Sequence, residues 1–139
     1  MKVTPVRIQR KRTAGYDMQA ASLAINGLPC ISVSRPSRWG NPYDIRNFGL
    51  ELSLAVFRNT IQGIWSPEPV KNESAGICAL MHAAHNVFLK RLGAHPLEII
   101  EAELGGKNLG CYCHLPETGE PDLCHAAIEI ELSNRGHPA

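Results

Sequence analysis

Three of the five cysteines lie close together in the last third of the chain, and a histidine directly follows the last of them. The pattern is Cys-x-Cys-x10-Cys-His, formed by Cys111, Cys113, Cys124 and His125. Three thiolates and one imidazole can hold a zinc ion tetrahedrally. The spacing differs from the Cys-x2-Cys pairs of common zinc motifs, so zinc is one of three interpretations of this segment.

The second interpretation of the same segment is acid–base or nucleophilic chemistry. A cysteine in the first turn of a helix has a lowered thiol pKa, because backbone N–H groups and the helix dipole favour the thiolate. Cys124 would occupy such a position. His125 is then the candidate general acid or base, and Cys113 or Cys124 the candidate nucleophile. The third interpretation is that small, soft side chains fill a tight strand–helix junction.

A second distinctive segment is the loop RPSRWGNP over residues 35–42. Guanidinium groups can hold a phosphate bidentately, an indole can stack on a base, and glycine lets a ligand approach the backbone closely. The alternative is a rigid loop in which the prolines fix turns, Trp39 plugs the edge of the core and Asn41 acts as a cap. The candidate ligand-binding residues are Arg10, Arg12, Arg35, Arg38, Trp39, Gly40, Asn41 and Tyr112.

The basic residues are concentrated in the first third of the chain. Residues 1–46 contain eight Lys and Arg against two Asp and Glu, although the net charge of the whole chain is only +1. This excess suits an anionic partner such as a phosphate or a nucleic acid, or simply solvates a strand face. The near-neutral total argues against strong nucleic-acid binding.

Length and composition predict one ordinary globular domain over residues 1–139. No stretch approaches the roughly 20 apolar residues of a membrane helix, so we expect no membrane partner. Charged residues follow the N-terminus where a secretion signal would have an apolar core, which predicts a cytoplasmic location. The odd cysteine count argues against a closed disulfide framework.

The elements that must position these residues are read from apolar periodicity and turn formers. Strands are predicted over residues 6–12, 30–34 and 107–113, and helices over residues 50–61, 72–92, 96–104 and 123–134, with Asp122 capping the last. Strands separated by helices predict an α/β fold: a small Rossmann-like domain with a short, mostly parallel three- or four-stranded sheet flanked by helices.

In such a sheet, ligands bind outside the carboxyl ends of the strands. The basic run at 10–12 ends the first predicted strand, the loop at 35–42 follows the second, and Cys111 and Cys113 end the third. Cys124 and His125 begin the last predicted helix. The sequence therefore predicts that all four segments converge on one site.

Four segments of the chain resemble the domain of unknown function 4326, a family found in phages and bacteria. They cover residues 7–12, 35–42, 106–113 and 124–126, in the expected order. Tyr112 stands where the family typically has Trp, and the loop between Cys113 and Cys124 is longer than usual. The strand–loop–helix layout is also similar to small Rossmann-like proteins that bind nucleotides or cleave N-glycosidic bonds, which is an analogy of fold only.

Two functional hypotheses follow. The first is a small enzyme or sensor that acts on a nucleotide, a nucleoside or another phosphorylated small molecule. The second is a non-catalytic, zinc-stabilised module that binds nucleic acid or a partner protein. The chain lacks a G-x-G-x-x-G or Walker loop, which argues against a dinucleotide enzyme or an NTPase.

Overall fold

The computed structural model describes residues 3–64, 74–93 and 95–135. In chain order its elements are β1 (Arg7–Gln9), α1 (Met18–Asn26), β2 (Cys30–Ser32), α2 (Ile45–Phe48), α3 (Leu50–Ile61), α4 (Ala75–Leu92), α5 (Pro96–Leu104), β3 (Asn108–Cys111) and α6 (His125–Ser133). Among these described helices, none is both long and apolar enough to cross a membrane.

The three strands form one sheet in the order β1-β3-β2, and both pairings are parallel. Arg7 pairs with Leu109 across one side of β3, and Cys30 pairs with Asn108 across the other. Helix α1 makes the crossover from β1 to β2, and helices α2 to α5 lie between β2 and β3. The predicted α/β fold with a short parallel sheet flanked by helices is confirmed, with three strands.

The central strand β3 is buried along its whole length, and Gly110 lets its neighbours approach closely. A Cβ atom added there would lie 2.7 Å from Met18 Sδ, 3.2 Å from Arg10 Cγ and 3.3 Å from Cys30 Sγ. A larger residue at this position would therefore push α1 away from the sheet. The main core lies on α3 to α6, where Phe57 packs edge-on against Phe88 at 5.4 Å.

The predicted helices at 50–61 and 96–104 are confirmed with the same bounds. Helix α4 begins at Ala75; residues 72–73 of the prediction lie outside the described part of the chain. The strands are shorter than predicted, so the 10–12 run and Cys113 lie beyond the sheet. The predicted start of the last helix was wrong: Cys124 is its N-cap, and Asp122 forms an ion pair with Arg7.

Helix α1 was not predicted, and it contributes little to the core: Ser22 is its one buried residue, and Leu23 and Ile25 are exposed. Its ends nevertheless carry ordinary helix signals. The Asp17 side chain accepts a hydrogen bond from the Ala20 N–H, and Gly27 adopts a left-handed conformation with φ 78°. The two capping residues, Asp17 and Gly27, could therefore have located this helix from the sequence.

Candidate functional site

Four segments meet at the carboxyl edge of the sheet and enclose a cleft of about 370 Å³. They are the residues after β1, the loop after β2, the end of β3 and the start of α6. The cleft is lined by Arg12, Ser34, Arg35, Asn41, Tyr43, Asp44, Ile45, Leu50, Leu54, Cys111, Tyr112, Cys113, Leu123, Cys124 and His125. The parallel topology therefore brings together the segments that the sequence analysis singled out.

The three clustered cysteines come from different backbone positions. Cys111 is the last residue of β3, Cys113 follows in the loop, and Cys124 is the N-cap of α6. Their Sγ atoms all lie within 4.8 Å of one another, and those of Cys111 and Cys113 are 3.7 Å apart. Cys111 and Cys124 are buried, whereas Cys113 is exposed. The sulfur atoms thus form a compact group on one wall of the cleft.

The thiol pKa values differ within this group. A hydrogen bond with Cys124 lowers the pKa of Cys111 to about 5. The same bond, together with burial, raises the pKa of Cys124 well above its usual range. From sequence, the lowered thiol pKa is expected at Cys124, because that residue lies at the start of a helix. In the structure the neighbouring thiol outweighs that effect, and the hydrogen bond favours ionisation of Cys111 over Cys124.

His125 is held in one orientation by the loop after β2. Its Nε2 lies 2.8 Å from the Val33 carbonyl oxygen, which can only accept, so Nε2 carries the proton. The other nitrogen, Nδ1, lies 3.9 Å from Cys124 Sγ. Burial lowers the pKa of His125, which keeps the ring neutral. A neutral imidazole in this tautomer presents the lone pair of Nδ1 to the sulfur cluster.

Glu129 lies one helical turn after His125, with Oε1 3.8 Å from His125 Nε2. Its side chain is fully buried, and neither carboxyl oxygen has a hydrogen-bond partner among the described residues. Burial raises the pKa of Glu129 well above its ordinary value of 4.5. Glu129 is not a candidate from sequence, because the polarity of a glutamate predicts a surface position.

Replacing Glu129 with glutamine should reduce the decrease in the free energy of unfolding that occurs as the pH rises above 4.5. A carboxyl whose pKa is raised on folding keeps its proton in the folded chain while the unfolded chain ionises. The free energy of unfolding then falls by about 1.4 kcal/mol per pH unit above 4.5, up to the folded pKa. Glutamine has almost the same shape and does not ionise.

Urea denaturation between pH 5 and pH 9 measures this difference between wild type and Glu129→Gln. Glu131→Gln is the matched control on the same helix. Hydrogen bonding to Arg58 lowers the pKa of Glu131, so its contribution is lost on acidification instead. Parallel pH profiles for wild type and Glu129→Gln would show that Glu129 is already ionised in the folded protein.

Arg7 clamps the segment that carries the cysteines. Its Nε and Nη2 atoms donate to the two carboxyl oxygens of Asp122 at 2.6 and 3.0 Å. Nη1 donates to the Cys113 carbonyl and Nη2 to the His114 carbonyl, both at 2.7 Å. The Arg7 side chain is only 3% exposed. This buried guanidinium therefore joins β1 to both ends of the loop between β3 and α6.

The basic run after β1 approaches the cleft through Tyr112. The guanidinium carbons of Arg10 and Arg12 lie 4.5 and 4.1 Å from the centre of the Tyr112 ring. Arg10 also donates from Nη1 to the hydroxyls of Ser32 and Ser34. Arg12 and Tyr112 line the cleft, and Arg10 connects the Tyr112 ring to Ser32 of β2 and to Ser34 after it.

Some residues of the loop at 35–42 line the cleft, and others pack in the core or at its edge. Arg35 and Asn41 line the cleft, and Arg35 donates twice to the Asn41 carbonyl. Trp39 is buried in the core, and Arg38 covers its ring while pairing with Glu103. A Cβ on Gly40 would lie 3.1 Å from Arg35 Cγ.

Four of the eight candidate ligand-binding residues thus lie outside the described cleft lining: Arg10, Arg38, Trp39 and Gly40. This arrangement matches the rigid-loop alternative, in which Trp39 plugs the edge of the core. The Asn41 amide likewise holds the loop, because its Nδ2 donates to the Ser53 hydroxyl and its Oδ1 accepts from the Tyr43 N–H.

Comparison with known proteins identifies one family. The model described as "Domain of unknown function (DUF4326)" matches residues 8–135, nearly the whole chain. No curated protein and no solved structure matches the chain. The match confirms the resemblance seen in the four sequence segments.

Proposed function

The chain belongs to the DUF4326 family, and we propose that it binds a small anionic, nucleoside-like ligand in the cleft at the carboxyl edge of the sheet. The observation that carries this proposal is the lining of the cleft, where cationic, aromatic and apolar side chains face one space. A volume of about 370 Å³ lies in the range of small-molecule sites. It suits one mononucleotide better than a polymer.

Charge around the cleft is uneven, which favours a ligand with both an anionic and a hydrogen-bond-donating end. Arg12 and Arg35 supply positive charge for a phosphate or a carboxylate. Asp44 lies in the same lining, and hydrogen bonding to Arg46 lowers the pKa of Asp44 to about 2. An ionised Asp44 repels phosphate but accepts from a hydroxyl or a ring N–H. A nucleoside monophosphate meets both requirements.

The nonpolar part of the lining supports a ring system. Leu50 and Leu54 of α3 and Leu123 before α6 contribute apolar surface. Tyr112, already packed against two guanidinium groups, contributes an aromatic face. Every base has a flat face that can stack on such a surface, so stacking tolerates any base. The lining therefore indicates the class of ligand, a nucleoside-like molecule.

The catalytic assignments remain hypotheses within this proposal. His125, Cys113 and Cys124 all line the cleft, as a general acid or base and a nucleophile must. His125 Nε2 is bound to a backbone carbonyl, however, which leaves Nδ1 as the nitrogen able to exchange a proton. We therefore propose binding, and the ligand that binds is the molecule on which to look for a reaction.

Replacing Arg12 with alanine should raise the dissociation constant of the ligand about tenfold or more, because a hydrogen bond to a charged group contributes about 1.5–3 kcal/mol. Lys11→Ala is the matched control: it removes the same charge from the adjacent exposed residue, which is outside the cleft lining. Calorimetric titration with nucleosides, nucleoside monophosphates, inorganic phosphate and short oligonucleotides measures the effect.

The proposal predicts binding of a nucleoside monophosphate that Arg12→Ala weakens and Lys11→Ala does not. Equal losses of affinity in the two variants would mean that the ligand responds to the overall positive charge of this region and not to Arg12 in the cleft. Binding to oligonucleotides alone, with a steep dependence on salt, would favour the second hypothesis, a module that binds nucleic acid.

A further inference from the structure

The geometry of the sulfur cluster points to a metal site, and we propose that Cys111, Cys113, Cys124 and His125 bind one structural zinc ion. The first step is the spacing of the donors. Zinc–sulfur bonds of about 2.3 Å at tetrahedral angles place two sulfur ligands about 3.8 Å apart. The Sγ atoms of Cys111 and Cys113 are 3.7 Å apart, and all three Sγ atoms lie within 4.8 Å of one another.

The fourth ligand that we propose is the Nδ1 atom of His125, which lies beside Cys124 but outside the group of three Sγ atoms that are within 4.8 Å of one another. A sulfur and an imidazole nitrogen on one tetrahedral zinc ion are about 3.6 Å apart, and Nδ1 lies 3.9 Å from Cys124 Sγ. Histidines that ligate metals commonly donate their second N–H to a backbone carbonyl or a carboxylate, which fixes the ring. His125 has this arrangement, since Nε2 donates to the Val33 carbonyl.

Charge compensation is the next step. Zinc with three thiolates and a neutral imidazole carries a net charge of −1, which is costly to place in a largely buried site. Arg7 supplies a buried positive charge beside the cluster, and it donates to the Cys113 carbonyl and to Asp122. Because Arg7 also pairs with the Asp122 carboxylate, it would offset only part of the negative charge of the proposed site.

The donor set selects the metal and its role. Thiolate and imidazole ligands favour zinc over the hard ions magnesium and calcium. Four protein ligands close the coordination sphere, which is typical of structural zinc. The ion would join the end of β3 to the start of α6 and so fix one wall of the cleft. This inference is independent of the proposed ligand, because its readout is the metal itself, but it excludes the catalytic roles of Cys113, Cys124 and His125, whose donor atoms the ion would occupy.

The test is the metal content of the untagged full chain, purified from zinc-supplemented medium and measured by mass spectrometry. We expect one zinc ion per chain. Cys113→Ser should reduce the content about tenfold or more, because one of four ligands is lost. Cys113 is exposed, so this substitution leaves the packing of the core intact. Cys78→Ser on α4 is the matched control and should retain the zinc.

Cobalt titration of the metal-free wild-type chain supplies a second measurement that does not depend on any variant folding. A tetrahedral thiolate site gives intense visible d–d bands and an ultraviolet thiolate-to-cobalt transition, and His125→Ala should shift the d–d bands. A folded wild-type chain without zinc and without these cobalt bands would overturn the proposal. So would bound iron in place of zinc, or equal zinc content in Cys113→Ser and Cys78→Ser.

Discussion

Arg7→Ala should lower the free energy of unfolding by about 3–5 kcal/mol, the range observed when one partner of a buried ion pair is removed. The side chain of Arg7 is 3% exposed and donates to Asp122 and to the carbonyls of Cys113 and His114. Its loss leaves a partly buried carboxylate and two carbonyls without their donor. The loop between β3 and α6 would lose its attachment to β1, so the cysteine cluster would loosen as well.

A double-mutant cycle by urea denaturation measures the interaction energy between Arg7 and Asp122 apart from their other contacts. It compares the wild type with Arg7→Ala, Asp122→Asn and the double variant. Arg58→Ala is the matched control, because Arg58 also forms an ion pair, with Glu131, at the surface. Exposed pairs contribute about 1 kcal/mol or less. A similar loss in Arg7→Ala and Arg58→Ala would contradict the role assigned to Arg7.

The location of the site was predictable from sequence because it depends on topology. Strand–helix alternation implies parallel strands, whose carboxyl ends share one edge. Three short segments with unusual residues follow those strands, and Cys124 precedes the last helix. No side-chain detail was needed to bring Arg12, Cys111 and His125 to one cleft.

The roles of individual side chains were not predictable in the same way, because burial depends on tertiary packing. Arg7 is one of the basic residues concentrated in the first third of the chain, which are expected to be solvated on a strand face, yet it is buried against Asp122. Glu129 reads as a surface residue and is fully buried. Trp39 could stack on a base or fill the core, and the sequence left both open. In each case the burial of the side chain depends on a neighbour that is far away in the sequence, and sequence patterns do not identify that neighbour.

Asn108 is a further example, because it lies in a segment that resembles the family and yet has a structural task. It is fully buried at the start of β3. Its amide pairs reciprocally with that of Asn26 at the end of α1, at 2.8 and 3.0 Å. It also accepts from the Val6 N–H and donates to the Ser22 hydroxyl. One side chain thus ties together β3, α1 and the residue before β1.

Asn108→Asp should destabilise the fold by about 3 kcal/mol or more at neutral pH, although it changes almost no volume. One carboxyl oxygen can still accept from Val6 and Asn26. The other would face the Asn26 amide oxygen and the Ser22 hydroxyl, which already donates to the Leu28 carbonyl at 2.6 Å. A buried carboxylate would then lie against two oxygens, where the wild-type amide donates to both.

Urea denaturation at pH 7 and pH 5 tests this prediction, with Asn47→Asp on the exposed side of α2 as the matched control. Surface substitutions of this kind change stability by about 0.5 kcal/mol or less. Burial raises the pKa of a carboxyl, so part of the loss in Asn108→Asp should be regained at pH 5, where a protonated carboxyl donates one bond. Equal stabilities of Asn108→Asp and Asn47→Asp at both pH values would show that the amide network does not hold α1 to the sheet.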